Sequence, residues 1–320
     1  MTCKVLISAP YLQPQLDRFL PILERRGIVP VVPQVRERLE ENELLELIED
    51  IDGVVCGDDR FTRRVLKSAK KLKVISKWGT GIDSIDQAAC REFRIALCNT
   101  PNAFSEPVAD SVFAYLLCFA RQTPWMNEAM QGGVWHKVPG FALREATLGV
   151  IGVGSVGKAV VRRANGFGMR ILGNDIATID EDYVSQTGIR MVSLEELLAE
   201  ADFVSVNCDL NPTSFHLLDS SRLSGMKKNA VIINTARGPI IEETALVTAL
   251  TRKQIAGAGL DVFEVEPLPV DSPLRTMTNV LLAPHNANSS PEAWENVHRN
   301  TLNNLFQKLG LALLNQGETE

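Results

Sequence analysis

Leu148-Gly-Val-Ile-Gly152-Val-Gly154-Ser-Val-Gly157 is a short apolar run that passes directly into a glycine loop, near the middle of a chain of 320 residues. The pattern predicts a strand, a tight turn and the first turn of a helix. Gly152 would allow the turn, Gly154 would let the backbone approach a pyrophosphate, and Gly157 would let the helix pack close to the strand. The helix N-terminus would add free N–H groups and a partial positive charge. The glycine spacing alone is equally compatible with a turn that binds nothing. The residues after it favour a ligand: a helical stretch over 158–167, then a second apolar run, Met169-Arg-Ile-Leu-Gly, ending in Asn174-Asp175. A carboxylate at Asp175 would accept hydrogen bonds from an adenosine ribose and repel a 2′-phosphate, so NAD is expected in preference to NADP.

Outward from this unit, apolar runs alternate with amphipathic stretches. Strands are predicted over 5–8, 29–32, 54–56, 74–76 and 95–97, with a helix such as 39–49 between them. A second series covers 148–151, 169–172, 190–192, 203–207, 230–234, 257–261 and 280–283. Such alternation implies an α/β chain with two doubly wound parallel sheets. A long helical stretch over 105–130, with Pro107 in its first turn, links the two series, and a helix-rich stretch over 291–314 closes the chain. The expected layout is a flavodoxin-like, discontinuous substrate domain of residues 1–102 plus 287–320, into which a Rossmann NAD-binding domain of residues 103–286 is inserted.

Composition narrows the function classes. A net charge of −6 argues against a nucleic-acid partner, which needs a basic face to neutralise phosphates. The longest apolar stretch, 112–120, is too short to span a bilayer, and the N-terminus lacks a signal-peptide layout, so a cytoplasmic protein is expected. Six cysteines without a C-x-x-C pair read as buried reduced thiols. Four histidines without ligand spacing give no reason to expect a metal.

The chemistry gathers at three predicted strand ends that carry more polar residues than a core strand needs: Asn234-Thr-Ala-Arg237-Gly, Gly259-Leu-Asp261-Val-Phe-Glu-Val-Glu266-Pro, and Ala283-Pro-His285-Asn. Ligands of open α/β sheets bind outside the carboxyl ends of the strands. Arg237 offers a planar fork for a carboxylate. His285 can exchange a proton near neutral pH, and Glu266, if it reaches the other ring nitrogen, would orient the imidazole and favour its charged form. Each residue has an ordinary structural explanation when taken singly. Together, behind a nucleotide loop, they suit hydride transfer at a carbon bearing a hydroxyl and a carboxylate.

The chain resembles the D-isomer-specific 2-hydroxyacid dehydrogenases over nearly its whole length, and among them the phosphoglycerate dehydrogenases. The match rests on Lys77-Trp-Gly-Thr-Gly-Ile-Asp-Ser-Ile-Asp86, Asn99-Thr-Pro-Asn102, Val108-Ala-Asp110, the glycine loop, Asn234-Thr-Ala-Arg-Gly238, Asp261-Val-Phe-Glu-Val-Glu-Pro267 and Pro284-His285. The resemblance implies Arg237, Glu266 and His285 as the catalytic set. It implies Gly152, Gly154, Ser155, Val156, Gly157, Asp175, Cys208, Thr235, Ala236 and Asp261 as cofactor contacts, with Asp261 near the nicotinamide carboxamide. Substrate would meet Lys77, Gly79, Thr80, Gly81, Asn102 and Lys137, its carboxylate on the backbone of Thr80 and Gly81. A homodimer built through the nucleotide domains is also implied.

There are departures. Ser155 stands where relatives commonly place an arginine or another pyrophosphate ligand. Cys208-Asp209 replaces a Thr-Pro or similar pair; Asp209 is read either as a further barrier to NADP or as a loop acid. Lys77 and Lys137 stand at two places where phosphoglycerate enzymes use arginines, while Gly57 stands at a third, with Arg60 nearby. No regulatory extension follows residue 320, so control through an added C-terminal domain is not expected. The expected substrate is 3-phosphoglycerate with 3-phosphohydroxypyruvate, or a similar anionic 2-hydroxy acid. The alternatives are a hydroxypyruvate or glyoxylate reductase and, further off, an NAD-sensing corepressor-like binding protein.

Overall fold

The computed structural model describes residues 2–315 and residue 318. Its backbone divides into two compact units, one running to Phe104 and resuming at Ser290, the other comprising Ser105–Ser289.

The first unit holds five parallel strands, β1 (Cys3–Ile7), β2 (Ile28–Val31), β3 (Gly53–Cys56), β4 (Val74–Lys77) and β5 (Ala96–Cys98). Their order, β2-β1-β3-β4-β5, is that of flavodoxin-like sheets. The last helix, Pro291–Leu309, belongs to this unit, and the Ser76 hydroxyl donates to the Thr301 carbonyl at 2.7 Å. The helix begins at the Ser290 cap and stops at Gly310, whose φ of 73° suits a residue without a side chain. It is therefore shorter than the helix-rich stretch expected from sequence.

The second unit holds seven parallel strands: β6 (Thr147–Ile151), β7 (Arg170–Asn174), β8 (Arg190–Met191), β9 (Phe203–Val206), β10 (Val231–Asn234), β11 (Gly257–Leu260) and β12 (Val280–Leu282). They lie in the order β12-β11-β10-β9-β6-β7-β8. The order reverses direction at β6, the switch point where doubly wound sheets bind ligands. Strands β6, β9, β10 and β11 are buried at every residue, which is why they are mostly apolar and carry no alternating exposed face. Arg237, Glu266 and His285 leave the carboxyl ends of β10, β11 and β12, three neighbours in the sheet.

One element differs from expectation. The helical stretch over 105–130 is two helices, Ser105–Arg121 and Thr123–Gln131, parted at Gln122, whose φ is 58°. Pro124 has no N–H to give and its ring would press on the carbonyl four residues back, at Ala120. That carbonyl instead accepts the N–H of Phe141 at 3.1 Å. Among the described residues no helix is long and apolar enough to cross a membrane.

Candidate active site

At the end of β6 the chain turns through Gly152 at φ 85°, a left-handed conformation that suits glycine. A Cβ there would lie 2.6 Å from the Cys208 backbone nitrogen. A Cβ on Gly157 would come within 2.0 Å of the Gly152 carbonyl oxygen, so the helix Ser155–Gly166 starts hard against the turn. Gly154 is the opposite case. Nothing lies within 4 Å of where its Cβ would stand, so the approach to this helix N-terminus is open. Ser155 is exposed there and Val156 half-buried. At the end of β10 the buried Thr235 hydroxyl makes no hydrogen bond, and half-buried Ala236 follows it. Open space before helix N–H groups and an unsatisfied buried hydroxyl fit a dinucleotide.

Asp175 is fastened to this loop: Oδ2 accepts the Val153 N–H at 2.6 Å and Oδ1 that of Ala177 at 2.8 Å. Each carboxylate oxygen keeps a further lone pair with which to meet ribose hydroxyls. Cys208 is half-buried, and burial pushes its thiol pKa up to about 11, so it walls the loop as a neutral group. Asp209 is exposed and accepts from the Asn211 side chain at 3.3 Å.

His285 and Glu266 are in contact. His285 Nδ1 lies 2.8 Å from Glu266 Oε2, while Glu266 Oε1 accepts the Phe263 N–H at 2.9 Å. Both carboxylate oxygens are thereby fixed, and the ring is held by Nδ1 with Nε2 as its other nitrogen. His285 has φ 52°, uncommon for a residue with a side chain, and Asp261 holds it there. The Asp261 carbonyl accepts the His285 N–H at 2.7 Å, and its carboxylate accepts the N–H groups of Asn286 and Ala287, both at 2.8 Å. Asp261 is 1% exposed, so its visible task is to brace the turn that carries His285. Burial raises its pKa, against the pull of those two N–H groups.

Arg237 is aimed by a turn that Asn234 builds. The buried Asn234 side chain accepts the Ala236 N–H at 3.1 Å and donates to the Arg237 carbonyl at 2.9 Å. Arg237 Nη1 donates to the Ala236 carbonyl at 2.9 Å.

The expected substrate residues divide between the two units. In the first, Gly79 has φ 115°, and Thr100 and Asn99 pin the loop after it: Thr100 N–H donates to the Gly79 carbonyl at 2.9 Å and Asn99 Nδ2 to the Thr80 carbonyl at 2.6 Å. Thr80 is exposed and Gly81 half-buried, while Asn102 is exposed with φ 62°. Lys77 is not a surface cation. It is 4% exposed, its Nζ donates to the Trp78 carbonyl at 3.0 Å, and it pairs with Asp58 at 3.2 Å. In the second unit Lys137 lies in a fully exposed stretch, 131–140. Sequence spacing gives no hint of a second histidine–carboxylate pair beside the Glu266 turn, between His216 Nε2 and Glu264 Oε1 at 2.8 Å.

Among the described residues no group of three His, Cys, Asp or Glu is placed to hold a metal ion. The family described as D-isomer specific 2-hydroxyacid dehydrogenase, NAD binding domain, matches residues 113–287. A glyoxylate reductase of Korarchaeum cryptofilum is 39% identical over 256 residues, which cover 78% of this chain and 77% of that one. A D-3-phosphoglycerate dehydrogenase of Methanocaldococcus jannaschii is 40% identical over 294 residues, 91% of this chain but 54% of the longer relative. The crystal structure of the TT0316 protein from Thermus thermophilus superposes with a TM-score of 0.84 at 34% identity, covering 98% of this chain and 99% of that one. The chain belongs to the D-isomer specific 2-hydroxyacid dehydrogenases and is an NAD-dependent oxidoreductase acting on the CH–OH group of a 2-hydroxy acid.

Proposed function

We propose that the chain reduces a short 2-oxo acid of the glyoxylate or hydroxypyruvate type, and runs the reverse oxidation, with Arg237, Glu266 and His285 as its catalytic set. The observation that carries the catalytic reading is the 2.8 Å contact of His285 with Glu266, on strand ends neighbouring that of Arg237. In oxidation His285 Nε2 takes the hydroxyl proton, Glu266 holds the resulting imidazolium, and Arg237 pairs with the carboxylate. In reduction the same histidine returns the proton to the developing alkoxide while Arg237 polarises the carbonyl. NAD, when bound, would provide the hydride chemistry at C2. On the first unit, the backbone of Thr80 and Gly81, with Gly79 and Asn102, is the proposed substrate loop. Gly152, Gly154 and Gly157 with Ser155 and Val156 would cradle the pyrophosphate, Asp175 the ribose, and Cys208, Thr235 and Ala236 the remainder of the dinucleotide, with Asp261 serving as the brace of the His285 turn.

The tail preference follows from Lys77. A phosphate dianion needs cations with charge to spare, whereas Asp58 already neutralises this ammonium and burial shields it. Gly57 adds no cation, and a Cβ there would strike Pro10 at 2.8 Å. The second reading, a phosphorylated 2-oxo acid, draws on the 40% identity with the M. jannaschii enzyme and on exposed Lys137. NADH oxidation measured on glyoxylate, hydroxypyruvate and 3-phosphohydroxypyruvate separates them. The two unphosphorylated acids should give the higher kcat/KM. A preference of about 10-fold or more for the phosphorylated acid overturns the small-tail reading, and no turnover on any of the three overturns both.

We also propose a homodimer formed through the second unit. Val134 and Trp135 are exposed, Trp135 to 87%, and Val138 and Phe141 extend the apolar surface on the same strip. Trp135→Glu should convert a dimer to a monomer in sedimentation equilibrium, and a monomeric parent protein would refute the proposal. The six free thiols suit a reducing, cytoplasmic setting. Fewer than six titratable thiols in denatured, unreduced protein would count against that setting.

A further inference from the structure

The catalytic histidine–glutamate pair has a second such pair behind it. His216 lies in the loop after β9 at φ 48°, with Phe215 stacked on its ring at 4.0 Å between centroids. Its backbone N–H donates to the Pro239 carbonyl at 2.8 Å, two residues beyond Arg237. Its Nε2 lies 2.8 Å from Glu264 Oε1, two residues before Glu266. One residue thus ties the β9 loop to the turns that carry Arg237 and Glu266.

Glu264 is held from a second side. Its Oε1 also accepts the Glu243 N–H at 3.1 Å, and its own N–H donates to Glu243 Oε2 at 3.1 Å, a reciprocal clamp on the start of the helix Glu243–Thr251. Two carboxylates approach one another in this clamp, and burial and the Glu264 charge both push the Glu243 pKa upward. A donor from His216 offsets that repulsion. Tolerance is small here. A Cβ on Gly238 would lie 1.9 Å from the Phe263 carbonyl carbon and 2.4 Å from the Glu264 nitrogen, so the backbone after Arg237 is pressed onto the turn that ends at Glu266. Displacing Glu264 moves Phe263, whose N–H holds Glu266 Oε1.

We propose that His216, acting through Glu264, is a positioning residue that fixes the 263–266 turn and so the orientation of Glu266 and His285. The proposal rests on the catalytic assignment made above, and its test keeps the two apart. His216→Ala should lower kcat about 10-fold while leaving the KM for the 2-oxo acid and the Kd for NADH within about 2-fold. His216→Gln, which retains a donor towards Glu264, should recover most of that kcat. With NADH deuterated at the transferred position, the isotope effect on kcat should rise in His216→Ala as the chemical step becomes limiting. Unchanged kcat in the folded His216→Ala protein overturns the proposal, whatever its melting temperature; so does a raised KM at unchanged kcat. Glu266→Gln is measured alongside. If it too keeps its kcat, the catalytic assignment fails. If it loses kcat and His216→Ala does not, only the positioning role fails.

Discussion

His285→Gln should lower turnover by on the order of 10²–10⁴ in both directions while leaving NADH affinity near that of the parent. Glutamine is the informative replacement. Its amide matches the reach of Nε2 and stays neutral, while Glu266, which His285 Nδ1 meets at 2.8 Å, keeps the Phe263 N–H on its other oxygen at 2.9 Å. What glutamine lacks is a group that gains and loses a proton near neutral pH. Loss of turnover with NADH binding retained, read by fluorescence titration, isolates proton transfer from folding. The backbone should also stay in place. Asp261 holds the residue at φ 52° through its own carbonyl and through the N–H groups of Asn286 and Ala287, contacts that the side-chain change leaves intact. Near-native turnover in His285→Gln would sink the assignment.

Much of this arrangement is legible in the sequence, because strands buried on both faces must be runs of apolar residues, and polar residues at their carboxyl ends then stand out. That contrast marks Arg237, Glu266 and His285. Other features depend on neighbours that only the sheet brings together. Lys77 reads as a cation available to substrate, yet the register of β3 with β4 sets Cys56 beside Lys77. The same pairing brings the following Asp58 to its ammonium. The His216–Glu264–Glu243 network joins residues 48 and 21 apart, spacings that no helix or strand period singles out. The break at Gln122 is open to a local reading, since Pro124 is visible, but apolar periodicity on both sides of it favours one helix.

Arg237→Lys should reduce kcat/KM by about 100-fold, although the charge is kept. The guanidinium has five N–H donors in a rigid plane, and one of its terminal nitrogens is engaged with the Ala236 carbonyl at 2.9 Å. That contact helps to set the direction of the fork. A lysine ammonium is a point charge on a flexible stem, and nothing in the Asn234 turn would hold it at the same place: the Asn234 side chain fixes only backbone groups, the Ala236 N–H and the residue 237 carbonyl. A substrate carboxylate bound by one donor in place of two loses both energy and orientation, so the penalty should appear in kcat as well as in KM. Arg237→Ala extends the test. If the planar fork matters, guanidinium ion added to the assay should restore part of the activity of the alanine variant, and ammonium at the same concentration should not. Equal rescue by the two ions, or unchanged efficiency in Arg237→Lys, would show that positive charge alone suffices and would remove the bidentate role from Arg237.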